Sequence, residues 1–189
     1  MLSEVKFRTT DVAQQSLETS IFVAKRFAMA ETERPKKIYT PMQARAKAEH
    51  YCAFQERAQQ EVRDKLYSWG LHMQDVEATI SQLIEDNFLN EERFARAYAR
   101  GKFKMKGWGK IKIKQGLKLK QISDPLIRIA MTEIDASDYF TTLESLISKK
   151  DLLIREENDF KRKHKLFQYA LGRGYESNLI AEVLESNNY

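Results

Sequence analysis

Three stretches of the chain repeat one order of apolar positions: EVRDKLYSWGLHMQDVEATI, KIKQGLKLKQISDPLIRIA and KLFQYALGRGYESNLIAEVL. Aligning Gly70 with Gln121 and Gly174 brings Val62, Ile113 and Leu166 together, followed by Leu66, Leu117 and Ala170. After the break come Leu71, Ile122 and Tyr175, then Val76, Leu126 and Leu179, with a one-residue slip in the first copy. An apolar pair four residues apart, a break and a polar restart predict two short helices joined by a turn. A further helix precedes each pair, in MQARAKAEHYCAF, EERFARAYARGKF and YFTTLESLISKK.

The predicted helix starts carry their own chemistry. Thr40-Pro41 and Ser123-Asp124-Pro125 place a hydroxyl at the cap and proline just inside, where its missing N–H costs nothing. Asn90 precedes Glu91 and Glu92, and Asp135 precedes Ala136-Ser137-Asp138; acids in a first turn are favoured by the helix dipole. The expected fold is all-α: an elongated, curved array of three tandem three-helix repeats at residues 39–90, 91–134 and 135–189. A repeat of roughly 50 residues buries too little surface to stand alone, so neighbouring units are expected to pack. Residues 1–38 are expected to be an N-terminal appendage, partly helical or mobile. There VAQQSLETSIFVAKRFAMA puts Leu17, Ile21, Ala24 and Ala28 on one helical stripe, and ETERPKK reads as a linker broken at Pro35.

The segment KFKMKGWGKIKIKQGLKLK alternates lysine with apolar residues, which taken alone argues for a strand. The repeat overrules that reading, because Ile113 and Leu117 stand where Val62 and Leu66 stand in a copy without alternation. That copy also offers Glu61 and Lys65 as a helix-supporting pair at i,i+4. GWG is then a turn and the rest a helix. On a helical wheel Trp108, Ile111, Gln115, Leu119 and Ile122 share one face, nearly opposite Ile113 and Leu117. Two apolar stripes predict neighbours on two sides, unlike a membrane-active peptide with one broad apolar face.

Charge sharpens the picture. Residues 100–120 hold Arg100, Lys102, Lys104, Lys106, Lys110, Lys112, Lys114, Lys118 and Lys120 without an acid. The whole chain carries only +5, so the remainder is acidic. Upstream, residues 75–92 contain Asp75, Glu77, Glu85, Asp86, Glu91 and Glu92 without a base. Uncompensated cations in one place point to a polyanion or an acidic protein surface as partner. The candidate binding residues are those nine cations, with Trp108 either an aromatic anchor or a packing residue. Lys161-Arg162-Lys163-His164-Lys165 is a second basic cluster, but Asp151, Glu156, Glu157 and Asp159 surround it.

Catalytic and cofactor chemistry finds no foothold. No GxxxxGK[ST] loop is present, and His50, His72 and His164 lack zinc-ligand spacing. The single cysteine, Cys52, fits a reducing compartment and reads as a small core residue. No apolar run approaches the roughly 18 residues of a membrane span, and no secretory signal is visible. The expectation is a cytoplasmic, non-enzymatic protein with no cofactor, no metal and no membrane contact.

The sequence resembles the RecX family. The run Glu61-Val62-Arg63-Asp64-Lys65-Leu66-Tyr67-Ser68-Trp69-Gly70 looks like that family's acidic–apolar–basic helix ending in glycine. Phe88-Leu89-Asn90-Glu91-Glu92-Arg93-Phe94-Ala95-Arg96-Ala97-Tyr98 is similar to its acidic, Arg-Phe-Ala entry to the second unit. Gly109-Lys110-Ile111 and Leu117-Lys118-Leu119-Lys120-Gln121-Ile122 follow its next pattern, with Gln121 where glycine is usual. The resemblance covers residues 40–189 and implies a monomeric regulator of the RecA recombinase, acting in DNA repair and the SOS response. Such a protein lodges on the RecA–DNA filament and mainly inhibits strand exchange and ATP hydrolysis. The basic patch would face RecA or single- or double-stranded DNA. Two other readings stand beside it: a helical DNA-binding module without sequence specificity, and an α-solenoid scaffold.

Overall fold

The computed structural model describes residues 38–187, so the reading of residues 17–28 and of Pro35 lies outside the described residues. Among the described residues there are nine α-helices and no strand. They are α1 (Pro41–Phe54), α2 (Gln59–Ser68), α3 (Met73–Glu85), α4 (Glu91–Lys106), α5 (Lys110–Leu119), α6 (Asp124–Met131), α7 (Ala136–Asp151), α8 (Asp159–Arg173) and α9 (Ser177–Ser186). The main helix–helix contacts fall inside three triads, α1–α3, α4–α6 and α7–α9.

The caps explain the boundaries. Thr40 and Gln43 form a reciprocal capping box at α1, Asn90 accepts the Arg93 N–H at 2.9 Å, and Asp135 accepts those of Ser137 and Asp138. Ser123 begins α6 without a side-chain cap bond. The first helix of each triad buries positions four apart: Ala44, Ala48 and Cys52; Ala95, Ala99 and Phe103; Tyr139, Leu143 and Ile147. In the second helix Val62 and Leu66, Ile113 and Leu117, and Leu166 and Ala170 are fully buried.

Each second helix ends in the same turn. Gly70, Gln121 and Gly174 all adopt left-handed φ, at 89°, 60° and 89°. The next residue's N–H returns to the matching carbonyl: Leu71 to Leu66, Ile122 to Leu117, Tyr175 to Ala170. Gln121 therefore performs the job that glycine performs in its two counterparts, at the steric cost of a Cβ in that region. In the third helix the buried counterparts are Val76, Ile127 and Ile180, which corrects the expected set with Leu126 and Leu179. No one-residue slip is needed.

The first triad has a core of its own, which includes the buried Cys52, whereas the second and third share one continuous core that Ala58 of the first triad also enters. Burial pushes the Cys52 thiol up to about 11. Backbone hydrogen bonds reinforce the joint between the second and third triads. Gly109 N–H donates to Arg173 O at 2.9 Å, and Ile111 N–H to Gly174 O at 3.0 Å. Lys110 N–H donates to the Tyr139 hydroxyl at 2.8 Å, and that hydroxyl donates to Glu176 at 2.7 Å. Burial, and then the Glu176 bond, hold the Tyr139 hydroxyl well above the usual phenol range.

Candidate functional site

The lysine-rich segment is helical, with a turn at its centre. α4 stops at Lys106 because Gly107 takes a left-handed φ of 59° and closes the last turn onto Lys102 and Phe103 carbonyls. Gly109 then caps α5. Trp108 is half-buried against the shared core, with the Lys102 and Lys112 ammoniums 5.0 and 5.1 Å from its ring. Packing is therefore part of its role. The second apolar stripe is covered in part: Trp108 packs on the shared core and Ile122 is buried, whereas Ile111 is 38% and Leu119 86% exposed. Besides α4 and α6, α5 meets the turn at Gly172–Gly174 of the third triad through Ile111 N–H and Lys112.

The ten residues singled out from the sequence do not form one uniform cationic face. Arg100 bonds Glu133 at 3.1 Å, Lys118 pairs with Asp124 at 3.3 Å, and Lys120 pairs with Glu61 of the first triad. Lys110 lies 4.7 Å from the Tyr139 ring, and the Lys112 ammonium donates to Gly172 O at 3.0 Å. Lys104, Lys106 and Lys114 are exposed, and their ammoniums have no partner among the described residues. Glu61 thus answers Lys120 and the Ala58 N–H, and the expected Glu61–Lys65 pair is not formed. In the second basic cluster Arg162 holds Asp151 with two bonds of 2.6 Å, and Lys165 reaches Glu156.

Residues that the charge pattern did not reveal complete the surface. A cleft of about 440 Å³ opens between the first two triads, with Phe94, Ala97, Tyr98, Gly101 and Met105 of α4 along one wall. Those five positions are a second helical stripe, visible in retrospect as apolar residues three and four apart. Gln55, Glu56, Arg57 and Glu61 face them, and Lys102, Lys106 and Lys120 stand at the rim. Burial holds the Tyr98 hydroxyl above the usual phenol value, partly offset by Lys120. Glu56 pairs with Arg93, whose guanidinium also bonds the side chain and carbonyl of Asn87. The three histidines are exposed, and no group of acids, His or Cys is placed to hold a metal among the described residues.

Comparison with known proteins agrees with the triads. The family models of the RecX first, second and third three-helix domains match residues 44–83, 90–131 and 137–184. Regulatory protein RecX of Clostridium perfringens (strain 13 / Type A) is 33% identical over 138 residues, covering 70% of this chain and 64% of that one. The chain thus spans less than two thirds of that relative's length. Regulatory protein RecX of Vibrio vulnificus (strain CMCP6) is 30% identical over 131 residues, 68% of this chain and 82% of that one. The crystal structure of RecX from Lactobacillus salivarius superposes with a TM-score of 0.70 at 23% identity, over 77% of this chain and 95% of that one. From these matches and the three triads, the chain belongs to the RecX family.

Proposed function

We propose that the chain is a regulatory protein that binds RecA or the RecA–DNA filament and mainly inhibits its recombinase and ATPase activities. The observation that carries this reading is the ordered match of all three RecX domains to proteins named as regulators. The middle triad supplies the contact face through Lys104, Lys106 and Lys114, with Trp108 and the ring-bound Lys102 and Lys112 beside them. Inhibition then follows from occupancy: a rigid helical body seated on the filament shifts growth against loss, with no bond made or broken. The protein works as a cytoplasmic monomer; among the described residues no helix is long and apolar enough to cross a membrane.

The alternative, a DNA-binding module without sequence preference, draws on the same three uncommitted lysines. Replacing Lys104, Lys106 and Lys114 together with Glu separates the two. A regulator that contacts RecA keeps part of its inhibition when its DNA affinity is gone. A DNA binder loses both together at every salt concentration, and its salt slope on single strands falls by about 2. Unchanged inhibition in this variant would remove the patch from the contact face.

A further inference from the structure

The cleft between the first two triads combines features that a nucleic-acid backbone cannot use. Its floor is apolar and shallow because Ala97 and Gly101 stand between the larger Phe94, Tyr98 and Met105. A Cβ built on Gly101 would meet nothing within 4 Å, so the space above it is open. From Phe94 to Met105 the wall runs about 16 Å along α4, the length of about five extended residues. The volume of about 440 Å³ admits a large apolar side chain with its flanking backbone.

The acids around this floor are engaged, Glu61 by Lys120 and Glu56 through one oxygen by Arg93, while Glu56 Oε2 is buried without a partner. The bases are more open. Lys106 has no partner, and the Lys102 ammonium meets only the rings of Tyr98 and Trp108. Also in the lining, Arg57 stacks 4.0 Å over the Tyr51 ring, and its buried Nε–H has no acceptor. A ligand that suits both sets has carboxylates at its ends and an apolar anchor at its centre.

We propose that this cleft is a docking site for an acidic segment of a partner protein, with one large apolar side chain seated over Ala97 and Gly101 and carboxylates reaching Arg57, Lys102 and Lys106. The assignment rests on the regulatory reading above in taking the partner to be a protein. The anchor supplies selectivity, since apolar burial is absent from phosphate contacts.

The test uses the full chain and three labelled probes followed by fluorescence anisotropy. They are a peptide of about nine Asp and Glu residues with Phe at its centre, the same peptide with Gly at the centre, and an oligothymidylate of similar charge. The expected result is roughly tenfold tighter binding of the Phe peptide than of the Gly peptide. Gly101→Leu fills the floor without altering charge and should abolish that preference while leaving oligothymidylate binding unchanged. Met105→Glu, at a side chain 80% exposed, should repel both peptides without unfolding the chain. Equal binding of the two peptides, or a preference that survives both substitutions, overturns the proposal. In Gly101→Leu, oligothymidylate binding that falls in parallel with the peptides overturns it too and gives the cleft to nucleic acid. RecA ATPase inhibition is read on the same wild-type sample. Inhibition without peptide preference sinks the cleft assignment alone; peptide preference without inhibition upholds the cleft and counts against the regulatory reading.

Discussion

Gly109→Ala should be the most damaging small substitution in the middle of the chain. The new Cβ would lie 2.1 Å from Gly174 O, 2.3 Å from its carbonyl carbon and 2.4 Å from Tyr175 N. All three are backbone atoms that cannot swing aside, so the two triads must separate. Separation breaks the Gly109–Arg173 and Ile111–Gly174 hydrogen bonds, worth about 1 kcal/mol each. The strain of an overfilled site adds about 1–3 kcal/mol. Together the loss is about 3–5 kcal/mol, a large share of the stability of an ordinary domain. At a urea slope of about 2 kcal/mol per molar, the midpoint falls by about 2 M.

The two tryptophans localise the effect, because Trp69 packs on the first core and Trp108 on the shared one. Unfolding followed in Trp69→Phe and Trp108→Phe backgrounds should show the Trp108 signal moving far more than the Trp69 signal, as expected where stability is carried repeat by repeat. Gly101→Ala serves as the control, and in a helix interior with open space it should gain up to about 1 kcal/mol. A loss at Gly109 below about 1 kcal/mol, or a shift confined to Trp69, would refute the backbone joint.

Three further outcomes are expected. Gln121→Gly should raise stability by about 0.5–1 kcal/mol, since relief of the left-handed strain exceeds the added freedom of the unfolded chain; an unchanged or lower urea midpoint would contradict it. Cys52, with its thiol pushed up to about 11 by burial, should resist a thiol reagent at pH 8 in the folded protein and react at once in urea, and rapid native labelling would contradict that. The Asp135 carboxyl is held below its ordinary value by the Ser137 hydroxyl and then by the Asp138 and Ser137 N–H groups. Its contribution to stability is therefore present above the ordinary carboxylate pKa and lost as pH falls through the lowered one. An NMR titration of Asp135 with a midpoint at or above 3.8, the ordinary value, would contradict the cap.

The repeat was legible because its strongest marks are local. Leu66, Leu117 and Ala170 sit four residues before the left-handed turn, and Gly70, Gln121 and Gly174 mark the turn itself. The caps at Thr40, Asn90 and Asp135 could likewise be read from neighbours in sequence. What escaped depends on residues that meet from far apart. Leu119 continues the packing stripe of Trp108 and Ile111 on a wheel, yet it is left 86% exposed. Glu61 sits in helical register with Lys65, yet its carboxylate goes to Lys120. The basic patch looked uniform because Glu133, Asp124 and Glu61, which thin it, lie outside the run. The cleft stripe on α4 gains meaning only once the turn at Gln55–Arg57 is set opposite it.

The proposed regulation of RecA is read in RecA's ATP hydrolysis on single-stranded DNA. The chain would be titrated at substoichiometric ratios with a large excess of bare DNA present to absorb simple DNA binders. Inhibition should survive the excess DNA. Inhibition abolished by it, or none at all, would take RecA away as the target.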